Sequence, residues 1–109
     1  MTIIRGDTGA FKFQRLDSSG EPITATPTAI YFTVKKSYTY SSDIFQKTLA
    51  DMTMDEDGTW HFIIAPEDTA SLDYGTYVYD LEVTTEDYVQ TIAKGKLMLE
   101  EEATWTANK

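Results

Sequence analysis

The side chains able to do chemistry are few, and most are acids. Asp55, Glu56 and Asp57 precede Gly58, and clustered carboxylates are what a hard cation such as Ca²⁺ takes as ligands. A calcium loop also needs further oxygens at fixed offsets and a bidentate Glu at its end, which this stretch lacks. The D-x-D-G pattern serves equally as turn chemistry. Glu67 and Asp68 are adjacent in the chain, whereas a glycosidase needs two carboxyl groups facing each other across a cleft. Arg5-Gly6-Asp7 is the tripeptide that integrins read, but no N-x-S/T glycosylation signal accompanies it. Its plainer reading is a bend at Gly6 and a turn or bulge bond from Asp7. His61 is the single histidine and stands between Trp60 and Phe62, so alternation points it away from both, as a surface residue rather than a general base. No serine lies in a nucleophile-elbow pattern, no glycine loop suits a phosphate, and with no cysteine thiolate nucleophiles, thiolate metal sites and disulfides are excluded. The expectation is a protein that is not an enzyme and takes no cofactor or metal.

The elements that carry these residues are strands, because the dominant period is two. Phe11 and Phe13 alternate with Lys12 and Gln14; Ile30, Phe32 and Val34 with Tyr31, Thr33 and Lys35. Trp60, Phe62 and Ile64 repeat the pattern, as do Tyr77, Tyr79, Leu81 and Val83, and then Leu97 and Leu99. Ile44 to Leu49 reads as a short strand. Turn residues separate the runs at Asp17–Gly20, Glu21-Pro22, Thr26-Pro27, Asp55–Gly58 and Thr85–Tyr88, and residues 38–43 form a longer polar loop. About seven strands at this spacing, with no long helical pattern, predict an all-β antiparallel sandwich. Pro66 to Leu72 breaks the period. Proline at a first helical position and two acids behind it predict a short helical turn. After it, Asp73, Gly75 and Tyr77 form the D-x-G-x-Y of an immunoglobulin-type tyrosine corner, in which the Tyr77 hydroxyl bonds back to the backbone upstream.

The motifs also occur in a telling order: Arg5-Gly-Asp-Thr8, Phe11-Lys-Phe13, Gly20-Glu-Pro-Ile23, Ile30 to Lys35, Asp57-Gly58, Pro66 to Thr69, Gly75 to Asp80 and Thr91 to Leu97. In this collinear order, from residue 3 to residue 104, the chain resembles the immunoglobulin-like domain of tailed-phage and prophage structural proteins of Gram-positive hosts, and is similar to the N-terminal domain of baseplate upper proteins. Unlike those proteins it is expected to comprise one domain without a receptor-binding or coiled-coil continuation, and a direct anchoring role is therefore not expected. The resemblance implies an immunoglobulin-like sandwich and a virion component of the tail or baseplate region, packing through protein contacts without chemistry. The alternative of the same fold is a carbohydrate-binding or adhesin-like module.

The length of 109 residues predicts one domain able to bury roughly 65% of its surface without a covalent staple. Its core would run from about residue 3 to residue 102, with a tail over 103–109. Eighteen acids against nine Lys and Arg give a net charge of −9, which disfavours nucleic acid and anionic membranes as partners. The N-terminus lacks a secretory signal and no stretch approaches a membrane span, so synthesis in a cytoplasm is expected; the resemblance implies that this cytoplasm is bacterial and that the protein resides in the virion. Partners would be other virion proteins and further copies of the chain. Tyr31, Tyr38, Tyr40, Tyr74, Tyr88 and Trp105 fall at outward or loop positions, where they can anchor a protein partner or stack on sugars. Lys12, Lys94 and Lys96 are expected to form one outward basic stripe on the first and last strands, facing an acidic flank of the next copy in a ring or head-to-tail array. The tail with Trp105 is expected to dock on a neighbour.

Overall fold

The protein is described by a computed structural model that covers residues 1–39 and 43–101. Tyr40, Trp105 and the 103–109 tail lie outside the described residues. Where the sequence alternates, strands form: β1 (Thr2–Ile4), β2 (Gly9–Gln14), β3 (Ala29–Lys35), β4 (Phe45–Thr48), β5 (Thr53–Met54), β6 (Thr59–Ile64), β7 (Gly75–Thr84) and β8 (Val89–Glu100). A 3-10 turn covers Leu49–Asp51, and α1 covers Pro66–Thr69. One sheet has the order β1-β8-β7-β3-β4 and the other β2-β6-β5. This is an all-β sandwich-like fold, with β2, β6 and β5 in the sheet opposite β3, β7 and β8.

The strand number agrees with the expected count of about seven, and one strand direction differs from an antiparallel sandwich. There are eight strands among the described residues, and β1 runs parallel to β8, with Thr2 opposite Met98 and Ile4 opposite Glu100. A three-residue strand is too short to show alternation. Its direction follows from the chain leaving β8's side to begin β2 in the other sheet, so the parallel partner is reached only through the rest of the domain.

The inward residues of the two sheets form the core. Ile30, Phe32 and Val34 from β3 meet Trp60, Phe62 and Ile64 from β6, with Ile3, Met52, Tyr77, Leu81, Val83, Leu97 and Leu99 completing it. Rings carry much of the contact between sheets. Phe32 lies 5.0 Å from Phe62, 5.3 Å from Phe11 and 5.5 Å from Tyr79, centroid to centroid. Each such side chain contributes about 1.5–3 kcal/mol through burial, so aromatic packing does here what a sheet-bridging disulfide does in antibody domains. Gly95 makes room for one of these rings: a Cβ at that position would stand 3.1 Å from the Tyr79 hydroxyl oxygen.

The sheet edges are guarded. On β4, Lys47 pairs in register with inward-facing Phe32, so it points to the core side of an edge strand, a device that discourages pairing with other chains. Its ammonium meets Asp68 Oδ2 at 2.7 Å. The same oxygen accepts the Ala65 N–H at 2.7 Å, capping the first turn of α1. The helical turn expected over 66–72 thus begins at Pro66, and hydrogen bonds from Ala70 N–H to Pro66 O and from Leu72 N–H to Thr69 O carry it onward. On β8, Leu81 faces Ala93 while Glu82 faces Thr91; Ile92 is the extra residue of a β-bulge.

Candidate functional site

The residues singled out in the sequence divide into those the fold uses internally and those it leaves at the surface. Tyr77 belongs to the first group. It is 5% exposed, and its hydroxyl donates to the Asp73 carbonyl at 2.8 Å. Gly75 between them has φ +140° with open space around it, so backbone conformation alone requires glycine there. Asp73, Gly75 and Tyr77 therefore build the corner that starts β7.

Arg5, Gly6 and Asp7 also serve the fold. Gly6 takes φ +82°, and its N–H donates to the Thr69 hydroxyl at 2.9 Å. Thr69 is fully buried. The Arg5 guanidinium donates to Leu72 O at 3.1 Å and to the Tyr74 hydroxyl at 3.2 Å, and lies 4.3 Å from the Tyr74 ring centroid. Asp7 N–H closes the turn onto Ile4 O at 3.0 Å. The tripeptide clamps the β1–β2 connection to the 69–74 segment, and its glycine is buried rather than displayed at a loop tip. Thr69 and Tyr74 as the receiving side of this clamp were not foreseeable, since 63 and 69 positions separate them from Gly6 and Arg5.

The acidic turn is held by its own donors. Asp57 Oδ1 accepts the Thr59 N–H at 3.0 Å, and these bonds from Thr59 hold its carboxyl below the ordinary value of 3.8. Asp55 Oδ1 lies 3.1 Å from His61 Nε2. Gly58 (φ +87°) comes so close to the Pro22–Ile23 segment that a Cβ would sit 3.0 Å from Ile23 O. Among the described residues no group of three or more His, Asp or Glu side chains converges as a metal site would require. His61 faces outward, opposite Lys12 on β2 and Thr53 on β5, as its alternation predicts.

The three lysines do not form one stripe. Lys12 is on β2, in the three-stranded sheet, while Lys94 and Lys96 are on β8, in the five-stranded sheet. All three are exposed, but on opposite outer faces, because the connectivity separates β2 from β8 into different layers. Only Lys94 and Lys96 share a surface. There Asp80 stands directly opposite Lys94, and Glu82 opposite Tyr31. A shallow hollow of about 270 Å³ lies over this face, bordered by Tyr31, Lys35, Asp43, Asp80 and Glu82.

The exposed tyrosines are dispersed. Tyr31 is on the outer face of the five-stranded sheet. Tyr38, before β4, lays its hydroxyl on Tyr79 O and Gly95 O at 3.2 and 3.0 Å, with Lys94 Nζ 4.9 Å from its ring centroid. Tyr74 sits under Arg5, and Tyr88 in the β7–β8 turn. Tyr88 borders a cavity of about 230 Å³ between β2 and the start of β8, lined also by Phe13, Leu16, Ile23, Leu81 and Ile92. Leu16, Tyr88 and Val89 near it are 55%, 49% and 61% exposed. This opening had no signal in the sequence, because it arises from two strand edges in different sheets and a bulge.

Comparison with protein families and with curated proteins finds no match for the chain.

Proposed function

We propose that this chain is a non-enzymatic structural or adaptor protein of a phage or prophage particle, in the tail or baseplate region, working through contacts with other virion proteins and its own copies. It would be made in the bacterial cytoplasm and carried in the virion. The collinear motifs support the particle, and the sandwich is the scaffold they imply. The observation that carries the reading is that the exposed tyrosines do not meet in one groove: Tyr31 and Tyr38 lie on the outer face of the five-stranded sheet, Tyr74 against Arg5, and Tyr88 in the β7–β8 turn. A sugar site needs aromatic faces turned toward one groove, whereas a protein contact can be anchored by single aromatic side chains on an open face. The engagement of Arg5, Asp55, Asp57 and His61 with neighbouring groups of the same chain supports a role without chemistry, and the net charge of −9 favours protein over nucleic acid or an anionic membrane.

Mass spectrometry of purified particles from the strain that carries the gene tests this reading. The protein is expected at a stoichiometry matching a ring or fibre component. Its absence from purified virions overturns the assignment. A strong hit on a glycan array would replace it with the carbohydrate-binding alternative.

A further inference from the structure

One end of the sandwich, between two turns, is left half covered. The first turn is the hairpin of residues 15–23, closed by hydrogen bonds from Ile23 N–H to Arg15 O and from Asp17 N–H to Glu21 O. The second joins β7 to β8 at residues 85–88, where Thr85 N–H meets Tyr88 O. The cavity of about 230 Å³ opens between them, and a second hollow of about 360 Å³ adjoins it, with Arg15, Ile23 and Tyr88 bordering both. Leu16 and Tyr88 on the rim are 55% and 49% exposed. Gln90 stands in register with buried Val83, and so on the inward face of its strand, yet it is exposed. The opposite sheet therefore gives the start of β8 little cover, and apolar surface of the kind that marks a contact site is open to water.

The rim carries both signs of charge. Arg15 donates from Nη2 to Ala25 O at 2.9 Å, and its buried Nε has no acceptor among the described residues. Glu86 and Asp87 border the second hollow together with Arg15, and among the described residues neither carboxylate pairs with it. Asp17 and Glu21, the acids of the hairpin, border neither hollow.

We infer that two copies of the chain join through this end about a two-fold axis, with Leu16 and Tyr88 of each closing the hollows of the other, and Arg15 of each facing Glu86 and Asp87 of the other copy. An isologous contact sets each residue of a patch against a different residue of the same patch, so the surface must carry both halves of every interaction. This end does so: apolar projections stand beside hollows, and a cation stands beside anions that do not pair with it. A foreign protein would require only one half of each. The net charge of −9 repels a second copy at long range. Against that repulsion the apolar rim supplies the attraction, and the crossed charges fix how the two copies face each other. The contact closes at two copies, so a larger array would need other surfaces as well.

The inference rests on the protein-contact reading, in its part about copies of the chain, but not on which particle houses them. Sedimentation of the full chain is expected to show a monomer–dimer equilibrium at concentrations up to roughly 0.5 mM. Leu16→Ser should weaken the dimer about tenfold or more, since the substitution acts once in each copy. Arg15→Glu and the double variant Glu86→Lys/Asp87→Lys should each weaken it at least as much, because each sets like charges face to face. Mixed in equal amounts, these two variants should form a one-to-one heterodimer, in which both crossed contacts again join opposite signs. Circular dichroism checks the fold of each variant. Glu86 and Asp87 lie in an exposed turn, so their double variant remains informative where Arg15→Glu, which loses the bond to Ala25, does not fold. A parent that stays monomeric at that concentration, folded variants that dimerise like the parent, or a mixture of the two folded charge variants that stays monomeric would each overturn the two-fold contact. None of these touches the particle assignment, which fails only if the protein is missing from virions.

Discussion

The Tyr77 hydroxyl donates to the carbonyl of Asp73, 2.8 Å away and four residues upstream. That bond ties the end of the α1 turn to the start of β7, the strand that supplies the centre of the five-stranded sheet. Tyr77→Phe keeps the ring and deletes the bond. The expected loss is about 1 kcal/mol, the net worth of one hydrogen bond whose acceptor regains water. In a domain of this size that lowers Tm by roughly 4–8 °C. Thermal unfolding by circular dichroism checks it; an unchanged Tm would mean that the ring alone holds the corner.

A second clamp sits nearby. Thr69 is fully buried and takes the Gly6 N–H on its hydroxyl at 2.9 Å. Thr69→Val preserves shape and leaves that amide unpaired in the interior, so the cost is expected at about 1–3 kcal/mol. Urea titration reads the loss directly. Hydrogen exchange should also show the Gly6 amide losing protection before the β6 and β7 amides do.

What the sequence disclosed follows from the range of the interactions involved. Alternation at Phe32, Phe62 and Leu81 marks inward faces because burial acts on each residue separately. The D-x-G-x-Y run marks the corner because its bond spans four residues. The basic stripe was misplaced because Lys12 and Lys94 carry no local sign of which sheet their strands join. The opening beside Ile92 was invisible for the same reason: a bulge and an uncovered edge are properties of strand pairs. The Arg5–Tyr74 contact likewise needs two distant segments to be brought together before either residue has a meaning.

Gly95 tests how tightly the aromatic layer is set. A Cβ there would meet the Tyr79 hydroxyl oxygen at 3.1 Å and two ring carbons at 3.3 Å. Tyr79 cannot yield freely, because Phe32 and Phe11 hold its ring at 5.5 and 6.2 Å. Gly95→Ala would ordinarily stabilise by restricting the unfolded chain; here crowding is expected to outweigh that gain by about 1 kcal/mol. Tyr79→Phe removes the nearest atom and should recover part of the loss, with a coupling of about 0.5 kcal/mol or more in a double-mutant cycle.

The acid limb of stability should carry a signature of Asp57. Its carboxyl titrates below the ordinary 3.8 because the Thr59 backbone N–H, and then the Thr59 side chain, bond to the charged form. A depressed folded pKa means that the unfolded chain takes up the proton first. The contribution is therefore fully present above the unfolded value and fades as pH falls through the folded one. Asp57→Asn retains an acceptor for Thr59 but removes the charge, so the variant should have a lower urea midpoint than the parent at pH 7. Below the folded pKa both side chains are neutral, and the two midpoints should converge. A gap that stays undiminished however far the pH is lowered below the ordinary 3.8 would show that the asparagine disturbs the turn itself, and that the charge on Asp57 is not what the Thr59 bonds favour.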